Sequence, residues 1–189
     1  MSGELIIYCG PMFAAKTTGL IAEIQMQLEA CPNEKIRVYK PSLDHRYSPT
    51  DIRTHAGHSL KDLTGLDVQP VPTSFDFSDD ADFVAIDEAQ FFDKEIISAV
   101  FRMLKKGTTV VIAGLDLDSD GKPFGPMPEL LALANHVEKH LAICSVCDEP
   151  ASRTFRKVKT GNQIQVGGSD LYEPRCLDHW FEGMNLTTT

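Results

Sequence analysis

Residues 5–30 constrain the fold most, because a strand-like run, a short loop and a helical pattern follow one another without a break. The run Leu5–Cys9 is continuously apolar, as expected for a strand of a parallel sheet that is covered on both faces. From Leu20 onward, apolar residues recur at helical spacing until Pro32 ends the pattern. A turn between a strand and a helix directs several backbone N–H groups to one point, where the positive end of the helix dipole also lies. The segment therefore predicts a phosphate-binding loop.

The loop between strand and helix reads GPMFAAKTT. Lys16 supplies a positive charge for the outer phosphates, and the hydroxyl of Thr17 suits a magnesium ion. The usual pattern, GxxxxGK[ST], has glycine before the lysine, where this chain has Ala15. We expect the alanine to adopt helical backbone angles, with its methyl group crowding the phosphate edge. The alternative is an ordinary helix start with a solvated lysine.

A second signal follows the apolar run 83–86, which ends in Asp87 and Glu88. Carboxylates at the carboxyl end of a parallel strand face the crevice in which α/β sheets bind ligands. An acid at this position of a phosphate-loop enzyme supports the magnesium ion on the outer phosphates. Successive side chains point apart, so the pair is predicted to divide into an acid on the metal side and a general base. The alternative is helix capping by Asp87 or Asp93.

The order of apolar runs predicts an α/β fold with a doubly wound parallel sheet. Its strands are expected at 5–9, 36–40, 83–86 and 108–113, and later helices at 96–106 and 128–136. Residues 41–80 show weak periodicity and are predicted to be mostly loop. Within them Arg46 could reach a phosphate with Asp44 orienting it, although a surface ion pair is the commoner fate of such residues.

The C-terminal quarter carries two paired-ligand corners, CxxC and CxxH. Tetrahedral zinc takes thiolate and imidazole ligands, and this spacing lets one tight turn present both members of a pair. Four ligands leave no open position, so the site is predicted to be structural. The rival interpretation is a redox CxxC, which the surrounding pattern does not favour. The predicted ligands are Cys144, Cys147, Cys176 and His179.

We accordingly divide the chain into a nucleotide-binding domain at 1–140 and a small zinc-binding domain at 141–189, for which the resemblance described next implies a nucleoside-covering role. Strands of a small sheet are expected at 152–157 and 163–166, with a turn-rich loop at 167–174. The formal net charge of −9 argues against a nucleic-acid partner. No apolar run reaches membrane-spanning length, and no leader pattern is visible, so we expect no membrane partner and a cytoplasmic protein.

The motifs together resemble the type II thymidine kinases over residues 5 to about 179. They are, in order, GPMFxxKTT, IDEAQFF, GLDxD with GKPFG, CxxC, and GGSDLYEPRC with a final histidine. The resemblance implies transfer of the γ-phosphate of ATP to the 5′-hydroxyl of thymidine, with deoxyuridine as a further acceptor. It also implies Mg²⁺, structural Zn²⁺, a homotetramer, and feedback inhibition by thymidine triphosphate.

The resemblance assigns roles to individual residues. Glu88 is the base, and Thr17 and Asp87 lie near magnesium. ATP is held by the loop and the following acidic segment, at Gly10, Pro11, Met12, Phe13, Ala14, Ala15, Lys16, Thr17, Asp87 and Gln90. Thymine is read largely by backbone groups of the loop at about 168–173, and the predicted nucleoside residues are Met12, Phe91, Leu115, Phe124, Gly168, Ser169, Asp170 and Tyr172.

Two segments depart from the family pattern. Family members usually have Ser-Gly in place of Ala14-Ala15, which bears on phosphate affinity. They usually have Phe-Arg in place of Ser119-Asp120, so an aromatic wall is lost near the thymine and a cation is replaced by an anion. One alternative is therefore a catalytically weak relative that binds nucleotides as a regulator or subunit. Another is a phosphate-loop ATPase whose zinc module grips nucleic acid, against which the acidic charge counts.

Overall fold

A six-stranded parallel sheet forms the centre of the computed structural model, which describes residues 2–44, 50–54, 57–78, 80–158 and 167–185. Its elements in chain order are β1 (Leu5–Cys9), α1 (Lys16–Ala30), β2 (Ile36–Pro41), α2 (Leu60–Thr64), β3 (Val68–Val71), β4 (Phe83–Ile86), α3 (Glu95–Lys106), β5 (Thr109–Gly114), α4 (Met127–Leu133) and β6 (His136–Lys139). The strand order is β3-β2-β4-β5-β1-β6, and every neighbouring pair is parallel.

Two apolar clusters cover the two faces of the sheet, which confirms the predicted α/β class. One cluster joins alternate residues of β1, β4 and β5 to α3 and α4, and includes Val84, Ile96 and Leu130. The other joins the intervening strand residues to α1, and includes Leu20 and Val111. Alternate side chains of a strand point to opposite faces, so continuous apolar runs require helices on both sides.

The sheet order decides where the functional segments meet. β5 lies between β4 and β1, and its register pairs Ala85 and Ile6 with the same residue, Val111. The carboxyl ends of all three strands therefore lie at one edge of the sheet. The loop after β1, the acidic pair after β4 and the segment after β5 leave the sheet side by side.

The structure adds two strands to the predicted sheet and corrects the end of one helix. Residues 41–80 are mostly loop among their described members, as predicted, but they also contain α2 and the edge strand β3. Pro70 weakens the sequence signal for β3, and proline is tolerated at sheet edges. The helix expected to reach residue 136 ends at Leu133. The four residues after it that form β6 are all exposed, so they lack the apolar run of a buried strand.

The C-terminal part contains short elements around the predicted zinc ligands. They are β7 (Ala142–Ile143), β8 (Pro150–Ala151), β9 (Arg153–Arg156), β10 (Tyr172–Arg175) and α5 (Leu177–Gly183). β7 pairs with β8 and β9 with β10, both antiparallel. The predicted strand at 152–157 is confirmed as β9, whereas the strand predicted at 163–166 lies outside the described residues. Residues 172–174, predicted as loop, belong to β10. Among the helices described, none has the length and apolar character to cross a membrane.

Candidate active site

The loop after β1 has a backbone that glycine would suit at several positions. Gly10 has φ +134°, and a Cβ there would lie 2.3 Å from the carbonyl oxygen of His140. Phe13 (φ 65°) and Ala15 (φ 57°, ψ 23°) are both left-handed. The expectation of helical angles at Ala15 is therefore wrong, because the turn into α1 requires the left-handed region. An L-residue in this region costs about 1–2 kcal/mol.

Lys16, Thr17 and Asp87 meet at this loop. The ammonium of Lys16 is buried and donates to the carbonyl oxygen of Pro11 at 2.6 Å. The hydroxyl oxygen of Thr17 lies 3.4 Å from each carboxylate oxygen of Asp87. Hydroxyl and carboxylate oxygens are the ligand atoms that Mg²⁺ prefers, so these two residues could hold one. The fold thus brings together two side chains 70 positions apart.

Glu88 follows directly and is also left-handed, with φ 53° and ψ 41°. Its backbone N–H donates to a carboxylate oxygen of Asp87 at 3.0 Å. The side-chain amide of Gln90 donates to the Glu88 carboxylate at 2.5 Å, and its oxygen accepts the backbone N–H of Leu115 at 2.9 Å. Gln90, assigned to ATP by resemblance, thus has both ends of its amide engaged by protein.

A cavity of about 320 Å³ opens over these residues. Residues 12–18, Asp87, Glu88 and Leu115 line one part of it, and Lys40, Asp44, Asp51, Ile52 and Arg53 line another. Asp44 forms a buried ion pair with Lys40 at 3.6 Å, in place of the expected surface pair. Arg46, its predicted partner, lies outside the described residues. The sequence analysis missed Lys40, although its place at the carboxyl end of β2 was a usable signal.

Five of the predicted nucleoside residues form one apolar cluster beside the cavity. Met12, Leu115, Phe124 and Tyr172 are its buried members, and Phe91 packs against them. The rings of Phe91 and Phe124 meet edge to face, with centroids 5.6 Å apart. Leu171 and Phe13 also pack against the cluster; neither had been assigned to the nucleoside.

The predicted residues Gly168, Ser169 and Asp170 lie in the turn that leads into β10. The N–H of Gly168 donates to the carboxylate of Asp170 at 3.0 Å. The carbonyl oxygen of Gly168 accepts the N–H of Tyr172 at 3.0 Å. This turn therefore fixes where Tyr172 enters the apolar cluster.

Ser119-Asp120, the pair that differs from the usual family pattern, lies in a tight loop between β5 and α4. The Asp118 carboxylate accepts the N–H groups of Asp120 and Lys122, each at 2.9 Å. Ser119 is buried, and its carbonyl oxygen accepts the indole N–H of Trp180 at 3.3 Å. Asp120 is exposed. The loop is thus fixed by Asp118 and α5.

Cys144, Cys147, Cys176 and His179 converge, with their ligand atoms all within 4.8 Å of one another. The Sγ of Cys144 lies 3.7 Å from Nδ1 of His179, and the Sγ atoms of Cys147 and Cys176 are 3.8 Å apart. Ligands of a tetrahedral zinc with Zn–S bonds of about 2.3 Å are separated by about 3.7 Å, so these residues fit Zn²⁺. Burial alone would raise the pKa of Cys144, but backbone hydrogen bonds from Cys176, Val146 and Cys147 outweigh it and lower the pKa to about 6.

The zinc cluster and the phosphate loop are in direct contact. Ala14 is buried together with Ala142, Cys144 and Ala151. The ring Nδ1 of His140 lies 2.8 Å from the carbonyl oxygen of Ala14. Ala14, one of the two alanines that differ from the usual family pattern, therefore lies at the contact between the loop and the Cys₃His cluster.

The family model and the similar proteins that match this chain all carry the same description. A family model described as thymidine kinase matches residues 3–180. A thymidine kinase of Bacteroides thetaiotaomicron is 39% identical over 179 residues, which cover 93% of this chain and 86% of that protein. A thymidine kinase of Bacteroides fragilis is 38% identical with the same coverage.

Proposed function

The chain belongs to the thymidine kinase family, and we propose that it transfers the γ-phosphate of ATP to the 5′-hydroxyl of thymidine with Glu88 as the general base. The observation that carries the proposal is the meeting of three segments at one cavity. The phosphate loop, the pair Asp87-Glu88 and Leu115 all line it, and Leu115 also belongs to the apolar cluster. These contacts support a phosphate site and an apolar nucleoside site that adjoin at Glu88.

Phosphoryl transfer requires the protein mainly to position the reactants and stabilise charge, because the protein forms no covalent intermediate. The loop amides and Lys16 hold the ATP phosphates, and the apolar cluster holds the thymine. Glu88 takes the proton of the 5′-hydroxyl as its oxygen bonds to the γ-phosphorus. The bond from that phosphorus to the β,γ-bridging oxygen breaks, and ADP leaves. Mg²⁺, which Thr17 and Asp87 would hold, neutralises charge on the outer phosphates.

The Cys₃His cluster serves as a structural zinc site in this proposal. Its contact with Ala14 and the position of β10 support residues 141–189 as both the zinc-binding and the nucleoside-covering part, with residues 1–140 as the nucleotide-binding part. The turn 168–170 positions Tyr172 and offers backbone groups to the thymine. Asp44 serves as a support for the cavity through its buried ion pair with Lys40.

Thymidine triphosphate fits the same surfaces as an inhibitor, since its nucleoside matches the acceptor and its phosphates match the loop. Deoxyuridine lacks the thymine methyl group, and the loss of about 0.8 kcal/mol of burial makes it a weaker acceptor. We place the enzyme in the cytoplasm, where its cysteines, including the proposed zinc ligands, stay reduced. A homotetramer would cover exposed apolar side chains near the edge strand β6, including Val137, Leu141 and Ile143.

The test compares thymidine-dependent ADP formation in the wild type and in Glu88→Gln, which keeps the side-chain size but is not a base. We expect kcat to fall by about 10²–10⁴-fold with ATP affinity retained, as for the loss of a general base. Glu29→Ala, at an exposed glutamate of α1, is the control and should keep wild-type activity. An unchanged kcat in Glu88→Gln would rule out Glu88 as the base. ATP binding without thymidine-dependent turnover in the wild type would favour the weak relative.

A further inference from the structure

We propose that Gln90 is a positioning residue for phosphoryl transfer, whose side-chain amide holds the Glu88 carboxylate in the orientation that accepts the proton. This inference rests on the proposed role of Glu88. Gln90 is only 2% exposed. Its amide donates to Oε2 of Glu88 at 2.5 Å and accepts from the N–H of Leu115 at 2.9 Å.

The two hydrogen bonds allow only one orientation of the amide. A backbone N–H can only donate, so the side-chain oxygen of Gln90 must face Leu115. The amino group then faces Glu88, where an ionised carboxylate can only accept. Exchanging oxygen and nitrogen would break both contacts. The donor directed at Glu88 is therefore fixed by chemistry as well as by position.

The anchor of this contact is the centre of the sheet. Leu115 follows β5 directly, and residues 110–113 of that strand are all fully buried. Glu88, in contrast, is itself left-handed and directly precedes a single 3₁₀ turn, Ala89–Phe91. The amide of Gln90 thus connects a carboxylate on a short turn to the buried centre of the sheet.

Two glycines make room for Gln90, which is an independent sign that its position matters. A Cβ on Gly114 would lie 3.0 Å from the side-chain oxygen of Gln90 and 2.8 Å from the sulfur of Met127. A Cβ on Gly125, whose φ is +51°, would lie 2.3 Å from the backbone oxygen of Gln90. A larger residue at Gly125 would clash with the backbone of Gln90, and one at Gly114 would press on its side-chain oxygen and on Met127.

The contact matters because a base must lie within hydrogen-bond reach of the proton that it removes. A donor on one carboxylate oxygen restricts rotation of the group and so limits the positions that the other oxygen can take. Misplacement of a reacting group by about 1 Å can cost about 10²-fold in rate. The amide is also neutral, so it holds the carboxylate without supplying a competing charge.

The experiment measures kcat, both KM values and the pH dependence of kcat in Gln90→Glu and Gln90→Met. Gln90→Glu keeps an acceptor for Leu115 but places a carboxylate against Glu88. We expect kcat to fall about 10–100-fold and the acid limb of the kcat profile to move up by about one pH unit. Gln90→Met removes both hydrogen bonds at similar length, so kcat should fall without that shift. Gln25→Glu, on α1 outside the cavity, controls for the added charge and should match the wild type.

A double-mutant cycle separates positioning from a merely structural role. If Gln90 acts through Glu88, Gln90→Met should lower kcat in the wild-type background and leave it unchanged in the Glu88→Gln background. Equal losses in both backgrounds would overturn the inference, as would variants that change only the KM for ATP. If Glu88→Gln itself retains full kcat, the proposed function fails. If Glu88→Gln loses activity while both Gln90 variants keep wild-type kcat and pH profile, only the positioning inference fails.

Discussion

The backbone N–H of Met12 donates to the hydroxyl of Thr154 at 3.0 Å, which joins the phosphate loop to the zinc-binding part of the chain. Thr154 lies on β9 and is buried. The side chain of Met12 belongs to the apolar nucleoside cluster. One hydrogen bond therefore links the loop after β1, the apolar cluster and β9.

Replacement of Thr154 by valine should weaken both substrate sites. Valine keeps the shape but leaves the N–H of Met12 without its acceptor, and a buried unpaired donor costs about 1–3 kcal/mol. We expect the free energy of unfolding to fall by about this amount and the KM values for ATP and thymidine to rise. Thr154→Ser, which keeps the hydroxyl, should stay close to the wild type in urea unfolding and steady-state kinetics. A valine variant as stable as the serine variant would contradict the role of this bond.

Loss of zinc should destabilise the fold and impair thymidine binding through the same contact. Cys147→Ser removes one of the four ligands, and metal binding contributes directly to the folding of such sites. We expect lower zinc content by elemental analysis, a lower Tm and a higher KM for thymidine. Cys31→Ser changes a cysteine outside the cluster and should bind zinc normally. Wild-type thymidine affinity in metal-free Cys147→Ser would show that the zinc part acts independently of the site.

Exchange of the two loop alanines for glycine should have opposite effects on stability. Ala15→Gly relieves about 1–2 kcal/mol of left-handed strain and loses about 0.5–1 kcal/mol to unfolded-state entropy, so it should stabilise by up to about 1.5 kcal/mol. Ala14→Gly removes a buried methyl group next to Cys144 and should destabilise by about 1 kcal/mol.

Urea unfolding and thymidine-dependent ADP formation check the pair of alanine variants. We expect ADP formation by the wild type and by Ala15→Gly. A silent wild type that recovers in Ala15→Gly would show that the alanine disables the loop. Lower stability of Ala15→Gly than of the wild type would contradict the strain at this residue.

Tyr8 should make the protein sensitive to alkali. Burial, followed by the 2.6 Å hydrogen bond to Glu23, raises the pKa of its phenol well above the ordinary value of 10.0. Above about pH 10 the unfolded chain releases this proton while the folded chain keeps it, so the stability falls by about 1.4 kcal/mol per pH unit. Below pH 10 the contribution is fully present. Urea unfolding of Tyr8→Phe between pH 8 and about 11 should show a shallower decline; parallel curves would contradict the assignment.

Most of the central sheet could be predicted because its signals are local. β1, β4 and β5 are runs of apolar residues, β2 is a short segment that ends in a proline, and α1 and α3 show helical spacing. Each of these segments could therefore be predicted from its own residues. β3 and β6 could not be found in this way. They are four-residue edge strands, and what makes them strands is pairing with β2 and β1.

The features of the site likewise divide into those set by the local sequence and those set by the tertiary structure. The sequence by itself determined which groups are available: the loop lysine and threonine, the acidic pair after β4 and the four zinc-type ligands. Only the tertiary structure decided that Ala15 is left-handed, that Gln90 joins Glu88 to Leu115 and that Met12 donates to Thr154, 142 positions away. Spacing reports neighbours along the chain, whereas these features depend on how β1, β5 and β9 are placed in space. Their energies arise from buried hydrogen bonds and packing that exist only after the chain has folded.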